Sequence, residues 1–224
     1  MTRGSTTNTE ALSVSIPAGE VTLRGDLTLP PKAQGLVVFA HGSGSGRLSP
    51  RNRMVAERLN VGGFGTLLFD LLTEREEAAD AQTGTLRFAI DFLASRLIQA
   101  TDWVALRPET HSLRLGYFGA STGAAAALVA AATRSALIGA VVSRGGRPDL
   151  AGEHLREVTA PTLLIVGGAD QAVLRMTRPA LMQLGSPVKE LAVIPGATHL
   201  FEEPGALEQV SDMALAWFTR HLRV

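Results

Sequence analysis

The sequence predicts a single-domain α/β protein: a mostly parallel, eight-stranded sheet with an antiparallel N-terminal start, helices on both faces and no large cap. Three observations carry that expectation. Short, continuous apolar runs recur at residues 36–40, 65–69, 113–118, 138–142, 163–166 and 188–194, as in strands buried on both faces. Segments with apolar residues at helical spacing separate these runs, and alternating strand and helix implies parallel strands joined by right-handed crossovers. Two earlier segments, 12–16 and 21–29, instead alternate apolar and polar residues, the pattern of an antiparallel pair with one wet face.

The elements follow in order. Residues 1–10 are rich in Thr, Ser, Asn and Gly and read as a loose tail, leaving 11–224 as the domain. Pro17-Ala18-Gly19-Glu20 supplies a turn between the first two strands, and Pro30-Pro31 ends the second. Ser49-Pro50 reads as an N-cap with Pro at the first helical position. That helix runs to about residue 60 and stops at Gly62-Gly63. A second helix is expected over 84–99, with Leu86, Ile90, Leu93 and Leu97 on one face. An Ala-rich third begins at Ser121, a fourth spans 173–184, and the last runs from 206 to 221, with Val210, Ala214, Trp217 and Phe218 on its apolar side.

Composition removes whole classes of function. The 224 residues carry 21 Lys+Arg against 21 Asp+Glu, so the chain has no overall basic footprint for nucleic acid. There is no cysteine, which excludes disulfides, Cys-based zinc sites and a thiol nucleophile. No apolar stretch follows the polar N-terminus, and apolar runs such as 124–132 fall short of the roughly 20 residues that span a bilayer. The expectation is a cytoplasmic protein with neither membrane nor nucleic acid as partner.

Three motifs carry chemistry. Gly119-Ala120-Ser121-Thr122-Gly123 sits between a buried strand and an Ala-rich helix. That is the context of a nucleophile elbow, where a serine stands on a turn so tight that side chains two residues away would clash. The helix start adds partial positive charge beside it. His41-Gly42-Ser43-Gly44-Ser45-Gly46 follows the strand at 36–40, and such a loop can aim a backbone N–H at an oxyanion. It lacks dinucleotide-fingerprint spacing and a closing Gly-Lys-Ser/Thr. Asp170 follows the strand at 163–166 and His199 the strand at 188–194. In a parallel sheet both strand ends share an edge with Ser121. A histidine base needs a carboxylate to fix its tautomer and stabilise the imidazolium. Asp149, after the preceding strand, is the rival carboxylate. Among the histidines, His111 precedes its strand and lies on the wrong edge, His154 and His221 fall in helices, and His41 shares the edge but reads as a loop brace.

Together these motifs resemble the α/β-hydrolase superfamily over residues 11–222, with its order Ser121, Asp170, His199. The short connections resemble its dienelactone-hydrolase-like branch. The loop from His41 to Arg47 with Ser49-Pro50-Arg51-Asn52, the elbow, and Ser143-Arg144-Gly145-Gly146-Arg147-Pro148-Asp149 resemble a subgroup sometimes fused to phosphoribosyltransferase domains, a domain not expected in these residues. Dienelactone hydrolases proper use a Cys nucleophile, where this chain has Ser121.

The resemblance implies a serine hydrolase of small carboxylic esters. Ser121 is the nucleophile, His199 the base, Asp170 its partner, and the N–H groups of Thr122 and Ser43 form the oxyanion hole, with no metal or organic cofactor. The connection at 71–84 is short and acidic, so the pocket is expected to be open and to take small substrates. His41 and Gly42 border it. Arg144 and Arg147 follow a strand end on the same edge and could clamp an anionic group on the substrate, unless they pair with the acidic 71–84 segment or with Asp149. Thioester and lactone hydrolysis, acyl transfer, and a non-catalytic binding module on the same fold remain open readings.

Overall fold

The computed structural model describes residues 10–222. The tail read over residues 1–10 lies, but for Glu10, outside the described residues. The strands are β1 (Leu12–Ala18), β2 (Val21–Thr28), β3 (Leu36–Ala40), β4 (Gly65–Phe69), β5 (Leu115–Ala120), β6 (Ile138–Arg144), β7 (Thr162–Gly167) and β8 (Lys189–Ile194). They form one sheet in the order β1-β2-β4-β3-β5-β6-β7-β8. β1 and β2 are antiparallel, β2 meets β4 antiparallel, and the remaining pairs are parallel. The α-helices are α1 (Pro50–Val61), α2 (Glu74–Thr83), α3 (Ile90–Ala105), α4 (Thr122–Thr133), α5 (Gln171–Gln183) and α6 (Ala206–His221).

Every residue of β3, β4, β5 and β7 is buried, because helices cover both faces of the sheet. One core layer joins Val38, Leu67, Tyr117 and Val141 to Leu93 and Leu97 of α3 and to the alanines of α4. The other joins Phe39, Phe118, Val142 and Ile165 to Val55 and Leu59 of α1 and to Val210, Trp217 and Phe218 of α6. Each buried Leu, Val or Phe side chain contributes on the order of 1.5–3 kcal/mol. Helix α4 is buried from Thr122 to Ala131. Its alanines let it lie close against the sheet, directly behind the turn at Ser121.

The start of α1 follows from Ser49, whose side chain accepts the Asn52 N–H, and from Pro50 in the first turn. Several boundaries differ from the sequence expectation. β1 continues through Pro17, which pairs with Thr22, and the hairpin turns at Gly19 (φ 65°) and Glu20. On an edge strand, Pro can face its missing N–H outward at little cost. β5 begins at Leu115 and reaches Ala120, so the elbow glycine Gly119 is itself strand. The acidic segment 71–84 holds a helix, α2, closed at its start by a capping box between Thr73 and Glu76. The helix expected from residue 84 instead begins at Ile90. The carboxylate of Asp80 takes the N–H groups of Leu86 and Arg87 and the Arg87 guanidinium, holding the intervening chain in a single 3₁₀ turn. A 3₁₀ stretch, Pro148–Glu157, broken at Gly152, also fills the connection after β6.

Candidate active site

The C-terminal ends of β3, β5, β6, β7 and β8 converge on one edge, and the three motifs meet there. Ser121 links β5 to α4 with φ 52° and ψ −122°, a conformation that non-glycine residues avoid. Its N–H donates to the Arg144 carbonyl at 3.2 Å, and its carbonyl accepts the Ala124 and Arg147 N–H groups at 3.1 and 3.2 Å. The flanking glycines have the steric reason the motif implies. A Cβ on Gly123 would lie 2.2 Å from the Ala40 carbonyl oxygen, and one on Gly119 would lie 2.4 Å from the Ala124 Cα. Gly42 is tight to a lesser degree, since its Cβ would sit 3.0 Å from the Ser121 Cβ.

Thr122 is the first residue of α4, and its hydroxyl shares a 3.0 Å hydrogen bond with the Ser43 hydroxyl. The two residues read as oxyanion donors are therefore tied together across the turn. The loop that carries Ser43 is held at both ends. His41 is buried, its Nδ1 donates to the Gly42 carbonyl at 3.0 Å, and its Nε2 accepts the Leu71 N–H at 2.9 Å. That pattern fixes the neutral Nδ1–H tautomer, and burial holds its pKa below 6.5. At the far end, Asp70 accepts the Arg47 N–H at 2.8 Å and pairs with its guanidinium.

Asp170 caps α5, with Oδ1 accepting the Val173 N–H at 3.2 Å, and its Oδ2 takes the His199 Nδ1–H at 2.7 Å. Close backbone approach brings the two loops together. A Cβ on Gly167 would meet the Ala197 carbonyl at 2.3 Å and the Thr198 carbonyl at 2.6 Å. Gly145, at φ 52°, passes beside His199, where a Cβ would lie 3.0 Å from the His199 carbonyl and 3.6 Å from its Cε1. Nothing in the sequence reading singled out Gly145 or Gly167. Each opens a Gly-Gly pair at a strand end, too common a feature to mark a site.

Asp149 forms a two-point ion pair with Arg147, at 2.9 and 2.7 Å. This engages both the rival carboxylate and one of the two arginines read as a substrate clamp. Arg144 is different. It is only 7% exposed, and among the described residues its Nε and Nη1 have no partner. The other histidines stay with local partners: His111 bonds the Pro108 carbonyl, His154 approaches Glu157, and His221 packs at a tilt against Trp217.

Beside the elbow lies a narrow pocket bordered by Ser43 and Thr122, with Leu71, Leu72 and Leu93 as apolar wall and Glu77, Asp80 and Arg87 over it. Partial burial, with Asp70 and other neighbouring carboxylates, raises the Glu77 pKa against the opposing pull of Arg87. Helix α2 thus forms a small roof where an open connection was expected. Its sequence signal was Thr73-x-x-Glu76, the capping-box pattern.

The strand order, the serine on its strained turn and the Asp170–His199 pair at neighbouring strand ends define a protein of the α/β-hydrolase class. Comparison with known proteins then narrows the class. Residues 34–223 match the family model described as PET hydrolase-like. The crystal structure of a dienelactone hydrolase from Anabaena variabilis is 57% identical, covers 96% of this chain and 99% of its own, and superposes with a TM-score of 0.93. The chain belongs to this PET hydrolase-like, dienelactone-hydrolase-related family of hydrolases. Est1E from Butyrivibrio proteoclasticus shares the fold at 18% identity, covering 93% of this chain and 98% of its own, with a TM-score of 0.77. Two Mycobacterium tuberculosis proteins, provisionally named phosphoribosyl transferases, are 60% identical over 210 residues. Those residues are 93% of this chain and 46% of theirs, so the chain spans about half the length of these curated relatives. Among the described residues, no helix is long and apolar enough to cross a membrane.

Proposed function

We propose that this hydrolase cleaves small carboxylic esters by acyl transfer through Ser121. His199 Nε2 takes the serine proton as the hydroxyl attacks the ester carbonyl. Asp170 holds the ring by Nδ1 and stabilises the imidazolium that forms. The N–H groups of Thr122 and Ser43 receive the oxyanion, with the start of α4 adding its dipole. The protonated histidine gives its proton to the departing alkoxide. Water, deprotonated by the same histidine, then releases the acid and regenerates Ser121.

The observation that carries this reading is the coincidence of the 2.7 Å Asp170–His199 bond with a serine held at φ 52° on the same sheet edge. The narrow pocket beside Ser43 and Thr122, with its apolar wall, supports a short acyl or alcohol group. A small soluble ester in the cytoplasm, with no cofactor, completes the proposal. Lactone cleavage is the second reading. It is favoured by the 57% identity to a dienelactone hydrolase and would use the same steps on a cyclic ester.

The test is hydrolysis of p-nitrophenyl acetate, butyrate and octanoate by the wild type and Ser121→Ala, with fluorophosphonate labelling of both. Turnover of the short esters and labelling are expected in the wild type alone. Absence of both from the wild type would leave a binding module on a hydrolase fold.

A further inference from the structure

Among the described residues, Arg144 is a buried cation without a counter-ion. It ends β6, two residues beyond Val142, and therefore lies on the sheet face that packs against α1 and α6. Its Nε and Nη1 are sealed from solvent and bond to nothing, which leaves Nη2 as the guanidinium nitrogen that reaches the surface. Burial, and after it the charge of Arg51, lowers its pKa to about 10, so it remains protonated at neutral pH. Arg51 sits in the first turn of α1, which holds no acidic residue, and its own Nε is also buried without a partner. The charge of Arg51, at the start of α1, is therefore close enough to act on that of Arg144.

Among the described residues, no carboxylate pairs with Arg144. Asp149 holds Arg147, Asp170 holds His199, Glu203 accepts from Thr198 through Oε1 while its Oε2 is buried without a partner, and Glu202 reaches Arg51 itself at 3.2 Å from an exposed position. An arginine this deep is ordinarily matched by a fork of acceptors. Its position ties it to the chemistry: Arg144 pairs in register with Ala120, its carbonyl accepts the Ser121 N–H, and Gly145 after it lies against His199.

We propose that Arg144, assisted by Arg51, is a subsite for a carboxylate carried by the substrate, so that the preferred esters are monoesters of short dicarboxylic acids. This rests on the serine-hydrolase reading for its catalytic meaning. The site itself is an oxyanion site, and a free phosphate would meet the same chemistry.

The experiment compares p-nitrophenyl hydrogen glutarate with the neutral p-nitrophenyl valerate in wild type, Arg144→Met, Arg144→Lys and Arg51→Met. The ratio of kcat/KM for the anionic over the neutral ester should fall about tenfold or more in Arg144→Met. It should fall less in Arg144→Lys, which keeps the charge, and severalfold in Arg51→Met. An unchanged ratio overturns the proposal. Arg144→Met removes an uncompensated buried charge and should fold; if it does not, the Arg51→Met ratio decides.

Calorimetry separates this proposal from the catalytic one. Ser121→Ala protein should bind monomethyl glutarate, and adding Arg144→Met should weaken binding about tenfold or more. Equal binding overturns the subsite even if wild-type esterase activity is high. Weakened binding upholds it even if no ester turns over. Inorganic phosphate that displaces monomethyl glutarate while the kcat/KM ratio stays fixed would assign the site to a free anion and overturn the substrate assignment.

Discussion

Asp170 holds His199 and caps helix α5 with the same carboxylate. Oδ2 takes the imidazole Nδ1–H at 2.7 Å, and Oδ1 takes the Val173 N–H at 3.2 Å. The cap fixes the carboxylate's plane, and that plane fixes the ring. A single side chain therefore joins the stability of a helix terminus to the orientation of the proposed base.

Two substitutions at this position should come apart. Asn is as good an N-cap as Asp, so Asp170→Asn should keep its melting temperature within a few degrees. It presents an N–H to the histidine in one amide orientation and a neutral acceptor in the other, so kcat should fall on the order of 10³–10⁴-fold. Asp170→Ala should lose comparable activity and about 1 kcal/mol of stability besides. Ester hydrolysis paired with thermal melts checks both; equal stability of the two variants would remove the capping role.

Ser121 should be a site where activity and stability trade against each other. Its φ of 52° costs a non-glycine residue about 1–3 kcal/mol. Ser121→Gly and Ser121→Ala should both be inactive. The glycine variant should nevertheless melt above the alanine variant by a few degrees, the strain relieved outweighing the roughly 0.5–1 kcal/mol of added chain entropy. Differential scanning calorimetry of the two proteins reads the difference.

Gly123→Ala should be severe. The added methyl would sit 2.2 Å from the Ala40 carbonyl and 2.4 Å from the His41 carbonyl, and neither backbone group can move without shifting the loop that carries Ser43. A loss of about 3 kcal/mol and of all measurable turnover is expected. By contrast, Gly44→Ala meets nothing within 4 Å and strains only a φ of 66°, so it should cost about 1 kcal/mol. Urea titration of both variants checks the contrast.

His41 should make the fold sensitive to mild acid. Its pKa is lowered in the folded protein from 6.5, so the unfolded chain binds its proton first as pH falls. The stabilisation is fully present above about pH 6.5 and is lost progressively below that, down through the folded-state value. In His41→Gln this contribution to the pH dependence should vanish, leaving a flatter curve of unfolding free energy between pH 5 and 7. Denaturant melts across that range, wild type against variant, measure it; parallel curves would exclude His41 as the sensor.

The sheet and the elbow were legible because their signals are local and dense. A continuous run such as 36–40 has few other fates, and Gly119-Ala120-Ser121-Thr122-Gly123 between strand and helix has one dominant steric meaning. Helix α2 escaped because it buries only Asp80, so no apolar stripe announces it and only its capping box does. The late start of α3 depends on Asp80 capturing Leu86 and Arg87, a side-chain event that periodicity does not register. The two clamp arginines looked equivalent in the sequence. Their separation, Arg147 paired and Arg144 alone, depends on which one the chain folds inward, and that is fixed by strand parity at the end of β6.

β8 stands at the rim of the sheet, bonded only to β7, and its residues are mostly half-exposed or exposed. His199 hangs from its end, while Ser121 sits mid-sheet at the start of a helix buried from Thr122 to Ala131. Rim strands open by fraying long before a core melts. Each such opening would separate the imidazole from Asp170 and leave the serine turn intact. On warming, hydrolysis should therefore fade while the circular dichroism is still native, and cooling should restore it: the protein would carry a reversible thermal cut-off set by its weakest edge.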